Sequence, residues 1–323
     1  MKNKFFILLR VTISLAFIGL LVWVFRKDIP DIAAALRRVN PPYFLTAITF
    51  SIASLVVVSQ RLRMILRVQG LRLTLGESLY LNFIGNFFNN FLPTAIGGDL
   101  VKAYYATKKS EKKLESFSAV FFDRFFGFLS IGLLAFLGIV FMNGRIRDPK
   151  LFWGCLIFSV VVLIAFILFF NKGITRAIFS KALDLPAFQN GSKSRKLYNA
   201  LNAYKEHKII VIKVILISLL AQVVAVVSLY YIVKSISQDI SFFNLLLVTP
   251  LVSVASMLPS INGLGVREGA FVIFLGEFIS KENAAAVSIL FLAMVLIMSF
   301  IGGILYLFSG KLYRIPMKIK EIA

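Results

Sequence analysis

The chain has one cysteine, one histidine and two tryptophans in 323 residues, and 15 acidic side chains against 36 lysines and arginines. A lone Cys155 excludes an intrachain disulfide. With only His207 beside it, the chain also lacks the thiolates and imidazoles that a zinc centre draws on, so neither a metal nor a cofactor is expected. There is no G-x-x-x-x-G-K-[ST] phosphate loop and no G-x-S-x-G nucleophile turn, which argues against ATP hydrolysis or serine acyl transfer by this chain. No Pro-rich or Gly/Ser-rich linker marks off a second domain. The alternating ten-residue segments of a transmembrane β-barrel are missing as well.

What is abundant is apolar surface. The sequence is 59% hydrophobic, holds 33 phenylalanines and has a mean hydropathy of +0.86. A helix of about 20 residues crosses roughly 30 Å of hydrocarbon. Apolar runs long enough to do so fall near residues 5–25, 43–60, 116–142, 151–171, 209–233 and 284–309. The first follows a basic segment, Met1 to Arg10, as a signal peptide would. It is too long, however, and Phe25-Arg26-Lys27-Asp28 is a poor peptidase site, so an uncleaved span is expected.

Net charge is +21, and the cations lie in loops beside the spans. The amino terminus, 61–77, 98–115, 172–208 and the carboxyl terminus hold more than twice the Lys and Arg of 26–42, 143–150, 234–243 and 280–283. The positive-inside rule then places both termini in the cytoplasm, with the chain in the cytoplasmic (inner) membrane. Topology and attraction to anionic headgroups explain the charge without nucleic acid, for which no motif fold is present.

Two apolar stretches are broken alike, Leu92-Pro93-Thr94-Ala95-Ile96-Gly97 and Leu258-Pro259-Ser260-Ile261-Asn262-Gly263. Proline removes a backbone donor and glycine loosens a helix, and unwound backbone survives at membrane depth only where it lines a cavity or is buried in protein. The expected fold is therefore a single all-α polytopic membrane domain over 1–323, with about six full spans and two re-entrant hairpins. Residues 43–142 and 209–309 would form repeats of opposite orientation, joined by a basic cytoplasmic connector, 172–208. Such an inverted repeat is a common frame for alternating access. If the broken segments cross fully, the count becomes eight spans.

Charges follow each break directly. Asp99 and Lys102 come after Gly97-Gly98, and Arg267 and Glu268 after Gly263-Leu264-Gly265. A helix starting there aims its amides and positive dipole end into the hairpin, where phosphate or carboxylate could be held, with Arg267 and Lys102 adding charge. The structural alternatives are that Asp99 caps its helix and that Arg267 pairs with Glu268. Asp123 and Arg124 lie inside a predicted span and should face the protein interior, where Asp123 could pair with Arg267 or Lys102. Asn82, Asn86 and either Asn89 or Asn90 share one face of the first entering arm, suited to a headgroup path or to interhelical hydrogen bonds. Pro93, Gly97, Gly98, Asn262, Gly263 and Gly265 complete the candidate substrate-binding set, with Asn86, Asn90, Asp99, Lys102, Asp123, Arg124, Arg267 and Glu268. Gly265 and Gly269 have the spacing that permits close helix packing.

At these residues the chain resembles the lysylphosphatidylglycerol synthase transmembrane-region, or flippase-like domain, family. The resemblance rests on Asn86 to Lys102 (NFFNNFLPTAIGGDLVK), Phe122 to Gly127 (FDRFFG) and Leu258 to Gly269 (LPSINGLGVREG), in that order, and covers nearly the whole chain. In multidomain relatives this region precedes a soluble aminoacyl-transfer domain and is implicated in moving a lipid across the bilayer. The present sequence ends soon after its last apolar run, so the resemblance implies lipid movement and not lysyl transfer.

The leading expectation is a lipid flippase or scramblase-like protein acting on a phosphate-bearing lipid, of the aminoacyl-phospholipid or polyprenyl-phosphate type. Its partners would be membrane lipids and their anionic headgroups. A second reading is a non-catalytic subunit that recruits a cytoplasmic lipid-modifying or glycosyl-transfer enzyme through 172–208. A third, an integral-membrane enzyme using Asp99, Asp123 or Glu268, has no reaction motif behind it, and the chain is expected not to be an enzyme.

Overall fold

A computed structural model of the chain describes residues 29–91, 97–107, 112–142, 149–171, 202–258, 260 and 263–312, with positions 12, 19, 23 and 26 in isolation. The expected first span, the centres of both breaks with Pro93, Pro259 and Asn262, the connector through residue 201 and the carboxyl-terminal tail lie outside the described residues. Among the described residues there is helix and no strand. A short helix, α1 (Ile29–Arg37), precedes α2 (Pro41–Val68), α3 (Leu75–Phe91), α4 (Gly97–Thr107), α5 (Lys113–Met142) and α6 (Pro149–Phe170). After the connector come α7 (Lys208–Ser235), α8 (Phe242–Ala255), α9 (Val266–Leu275) and α10 (Lys281–Leu312).

Local chemistry sets these ends. Pro41 and Pro42 occupy the first positions of α2, where a missing N–H costs nothing. Thr74 and Glu77 form a reciprocal capping box ahead of α3: the Thr74 N–H donates to Glu77 Oε2 at 2.7 Å and the Glu77 N–H to Thr74 Oγ1 at 3.2 Å. Before α9 the backbone runs through Gly263 at φ 78° and Gly265 at φ 81°, a left-handed path that a side chain would resist.

Among the described residues, four helices are long and apolar enough to cross a membrane: Pro41–Val68, Lys113–Phe141, Lys208–Ser235 and Lys281–Phe308. Shorter apolar stretches are Phe152–Leu168, within α6, and Phe242–Ala255. Large apolar side chains such as Leu216, Phe300 and Leu307 are exposed on these helices, as expected of a surface that faces lipid.

The helices repeat. In each half a 28-residue helix, α2 or α7, is followed by a shorter one of 17 or 14 residues, then one of 11 or 10, then one of 30 or 32. Packing repeats with them. The two leading helices, α2 and α7, pack on each other; α3 packs on α10 of the other half, and α8 packs on α5 of the other half. The Ser54 hydroxyl donates to the Ala221 carbonyl at 3.0 Å, 167 positions along the chain, which is also the interval from Pro41 to Lys208. The contact therefore joins positions equally far from the starts of the two leading helices. Each α3 or α8 contact is made close by glycine: a Cβ at Gly302 would overlap the Phe83 carbonyl, and one at Gly138 would come within 2.9 Å of Leu247.

Two sequence expectations are corrected. Residues 61–77 were expected to be loop, but α2 continues to Val68 and carries Arg61 and Arg63 inside it. The apolar run ends at Ser59-Gln60-Arg61, yet a charge that finds a partner need not end a helix. Within the expected loop 26–42, α1 forms and packs against α10, with Ile32 buried and Ala35 and Leu36 against the core.

Overpacking at these crossings should cost about 1–3 kcal/mol. Gly302→Val is expected to lower the melting temperature of the purified protein in detergent, whereas Gly76→Ala, where a Cβ meets nothing within 4 Å, should leave it unchanged or raise it.

Candidate functional site

A cavity of about 470 Å³ lies where the halves meet. Its walls come from α2 (Ser51, Ser54), α3 (Asn86, Asn89, Asn90), α7 (Gln222), α8 (Thr249, Ser253, Ser256) and α9 (Arg267), closed on the apolar side by Phe271, Phe291 and Met298. Four pairs of lining residues, Leu55 with Gln222, Val58 with Ala225, Asn86 with Ser253 and Asn89 with Ser256, are separated by the same interval as Ser54 and Ala221. The cavity therefore draws on residues at equal intervals from both halves of the chain.

Arg267 is the one cation among its lining residues. Its Nη2 and Nε donate to Glu268 Oε1 at 2.8 and 3.2 Å, and its guanidinium lies 5.2 Å from the Phe291 ring centre, a cation–π distance. The other carboxylate oxygen, Glu268 Oε2, accepts the Gly265 N–H at 2.6 Å. Gly265 has no side chain to complete a capping box, so at the start of α9 the side-chain half of the cap comes from Glu268, beside the Arg267 N–H bond to the Gly263 carbonyl at 2.7 Å. The pairing of Arg267 with Glu268, expected as the structural alternative, is thus present, and it still leaves the guanidinium on the cavity wall.

The first break is closed by a different device. Asn89 Oδ1 accepts the Gly98 N–H at 2.8 Å, so the cap of α4 is supplied by α3 and not by Asp99. A Cβ at Gly98 would overlap the Gly85 carbonyl, which is why the two arms can lie so close. The sequence reading left the amides of both return arms for a ligand. At Gly98 and Gly265 the protein fills that role itself.

The candidate residues separate into three places. Asn86, Asn90 and Arg267 line the central cavity, with Glu268 directly behind Arg267. Asn90 Nδ2 donates to the Asn86 carbonyl at 3.1 Å and to Ser299 Oγ, tying α3 to α10, while buried Asn82 donates to Ser59 Oγ at 2.9 Å and serves packing. Asp99, Lys102 and Arg124 form a second cluster off the cavity, in which Asp99 takes Lys102 at 3.4 Å and Arg124 as ion-pair partners. Asp123 is the third place. Its Oδ1 accepts Arg61 Nε at 2.7 Å, with both side chains about 5% exposed. The expected pairing of Asp123 with Arg267 or Lys102 is corrected: Arg61 had been assigned to a loop, and one further turn of α2 carries it to α5. Asp123 and Arg124, expected to share the interior, point apart, and Arg124 is 38% exposed. Gly97 and Gly98 start α4, Gly263 and Gly265 turn the chain into α9, and Pro93 and Asn262 are outside the described residues.

Gln222 and the hydroxyls of Ser51, Ser54, Thr249, Ser253 and Ser256 were not singled out from the sequence. Gln222 is an isolated amide in the run 209–233, and that was the available signal. Among the described residues no cluster of three His, Cys, Asp or Glu side chains could hold a metal.

The sequence model described as lysylphosphatidylglycerol synthase TM region matches residues 7–303. A UPF0104 membrane protein of Methanocaldococcus jannaschii is 25% identical over 304 residues, covering 87% of this chain and 88% of the relative. A UPF0104 membrane protein of Methanothermobacter thermautotrophicus is 26% identical over 268 residues, covering 76% and 78%.

Removing one partner of the buried Arg61–Asp123 pair leaves a charge without its counterpart, at a cost of about 3–5 kcal/mol. Arg61→Met and Asp123→Leu should each sharply lower resistance to unfolding in mixed micelles, and the double substitution should recover most of the loss.

Proposed function

The chain belongs to the lysylphosphatidylglycerol synthase TM-region family, and we propose that it carries a phosphate-bearing lipid, of the aminoacyl-phospholipid or polyprenyl-phosphate type, between the leaflets of the cytoplasmic membrane. The reading rests on one observation: a cavity lined by hydroxyls and amides from both halves of the chain, with Arg267 as the arginine among its described lining residues. A phosphate in hydrocarbon would lose its hydration without replacement, at a cost of tens of kcal/mol by Born estimates, so it neither crosses nor lingers there alone. Serine, threonine and amide groups supply exchangeable hydrogen bonds along a path, and Arg267 supplies charge. The cavity, about 470 Å³, suits a headgroup better than a whole lipid, which leaves the chains in the bilayer.

On this reading α3–α4 and α8–α9 are re-entrant hairpins entering from opposite faces, and the halves form an inverted repeat with both termini cytoplasmic. Their arms have 17, 11, 14 and 10 residues, each short of the roughly 20 that a full crossing needs. The cavity between the halves is then where access would alternate. Glu268 competes with phosphate for Arg267. A bound headgroup can therefore displace the carboxylate and be displaced by it, so that binding stays weak enough for release. No bond of the lipid is broken, and no enzymatic role is assigned.

The test is leaflet exchange of headgroup-labelled lipids, including aminoacylated phosphatidylglycerol and a polyprenyl phosphate, in liposomes with the purified protein. Wild-type protein should exchange at least one of these lipids. Arg267→Ala should slow exchange about tenfold or more, the weight of one charge-assisted hydrogen-bonded contact. Glu268→Gln should hold the lipid more tightly and exchange it more slowly. Folded Arg267→Ala and Glu268→Gln proteins that exchange lipid at the wild-type rate would refute the reading, and no exchange of any lipid by folded wild-type protein would favour the recruiting subunit.

A further inference from the structure

Away from the central cavity, α4 and α5 enclose a groove of about 410 Å³ that opens on the outer surface of the helices. Leu100, Phe117, Phe121 and Phe128 form its apolar walls, and the charged groups in it are Asp99 and Arg124. Phe117, Phe121, Arg124 and Phe128 recur at intervals of four, three and four, so α5 presents them as one stripe. The protein leaves this stripe largely uncovered, with Phe117 44%, Phe121 56% and Leu100 49% exposed.

The charges are arranged unequally. The Arg124 side chain is 38% exposed and the Asp99 side chain 7%, so the groove meets the cation in front and the carboxylate behind. Asp99 also has Lys102 in ion-pair range, so among the described residues the cluster holds two cations and one carboxylate. Arg124 is already paired with Asp99, yet its side chain stays 38% exposed at the groove, and the planar fork of a guanidinium matches phosphate oxygens. Side chains on a helix lean toward its amino-terminal end. Arg124 therefore leans toward Lys113, which is exposed with Lys112 at the end of α5 where headgroups gather.

We propose that this groove binds an anionic phospholipid, with its phosphate on Arg124 and an acyl chain against Leu100, Phe121 and Phe128. The site is separate from the central cavity, and the inference does not rest on lipid movement through it. An anion and an apolar chain are both required: the cation alone would suit any anion, and the phenylalanines alone would suit any lipid.

The experiment uses two single-tryptophan forms of the full chain in phosphatidylcholine vesicles. One has Phe117→Trp with Trp23→Phe and Trp153→Phe and reports on the groove. The other keeps only Trp153, which is exposed on α6, and reports on ordinary surrounding lipid. Quenching by dibrominated phosphatidic acid is compared with quenching by dibrominated phosphatidylcholine. The tryptophan at position 117 should show a preference for the anionic lipid about fivefold above that at Trp153, the scale of one cation facing an anionic headgroup. Arg124→Gln should bring the two positions level, and Arg124→Lys should keep part of the preference. Equal preference at both positions with Arg124 intact, or an unchanged preference in a folded Arg124→Gln protein, overturns the proposal. Should Arg124→Gln fail to fold, the comparison of the two positions decides alone.

Discussion

Hydrocarbon offers nothing for an unpaired backbone group to bond, and the architecture of this chain follows from that constraint. Two helices are interrupted, and each interruption exposes amides that a continuous helix would have used. The protein answers each from a nearby side chain, Asn89 for Gly98 and Glu268 for Gly265. Both answers require arms packed closely enough for the reach, hence the glycines: Gly98 against the Gly85 carbonyl in one half, and the left-handed Gly263 and Gly265 in the other. The helices that follow the breaks, α4 and α9, therefore each begin on a cap supplied by the protein itself.

The same constraint governs charge. Arg61 with Asp123, Lys102 and Arg124 with Asp99, and Arg267 with Glu268 are pairings between residues of apolar helices. They differ in surroundings more than in distance. The first is sealed between α2 and α5 and acts as a fastener. The third has its cation on the wall of a polar cavity. The second turns an arginine outward among phenylalanines, so position in the packing, and not residue type, separates structural charges from those able to meet a ligand.

Much of this was legible in the sequence. Apolar runs located the long helices because a span is a bulk property of about twenty residues, and Pro and Gly located the breaks because they act on the backbone itself. The recurrence of helix lengths in the two halves was visible in the order of apolar runs and breaks more than in matched letters. Three features were not legible. Arg61 looked like the end of a span, because hydropathy does not register a partner 62 residues away. The short helix α1 was masked by four flanking cations, although Ile29, Ile32 and Leu36 carry helical spacing. The central cavity draws on six helices, and its serines and Gln222 acquire meaning only when α2 and α7 cross.

The hydrogen bond from Ser54 to Ala221 has one more consequence. In a true dimer, a residue on the two-fold faces its identical copy, and two conformers related by exchanging the subunits have equal energy. Here position 54 carries a serine and position 221 an alanine, and the cavity lining has leucine at 55 but glutamine at 222, asparagine at 86 but serine at 253, so the two sides are chemically unequal. One neutral hydrogen bond, about 1 kcal/mol, already weights such a pair of conformers about fivefold. If the halves exchange roles as the proposed function requires, their two arrangements differ in energy before any ligand or gradient acts on them.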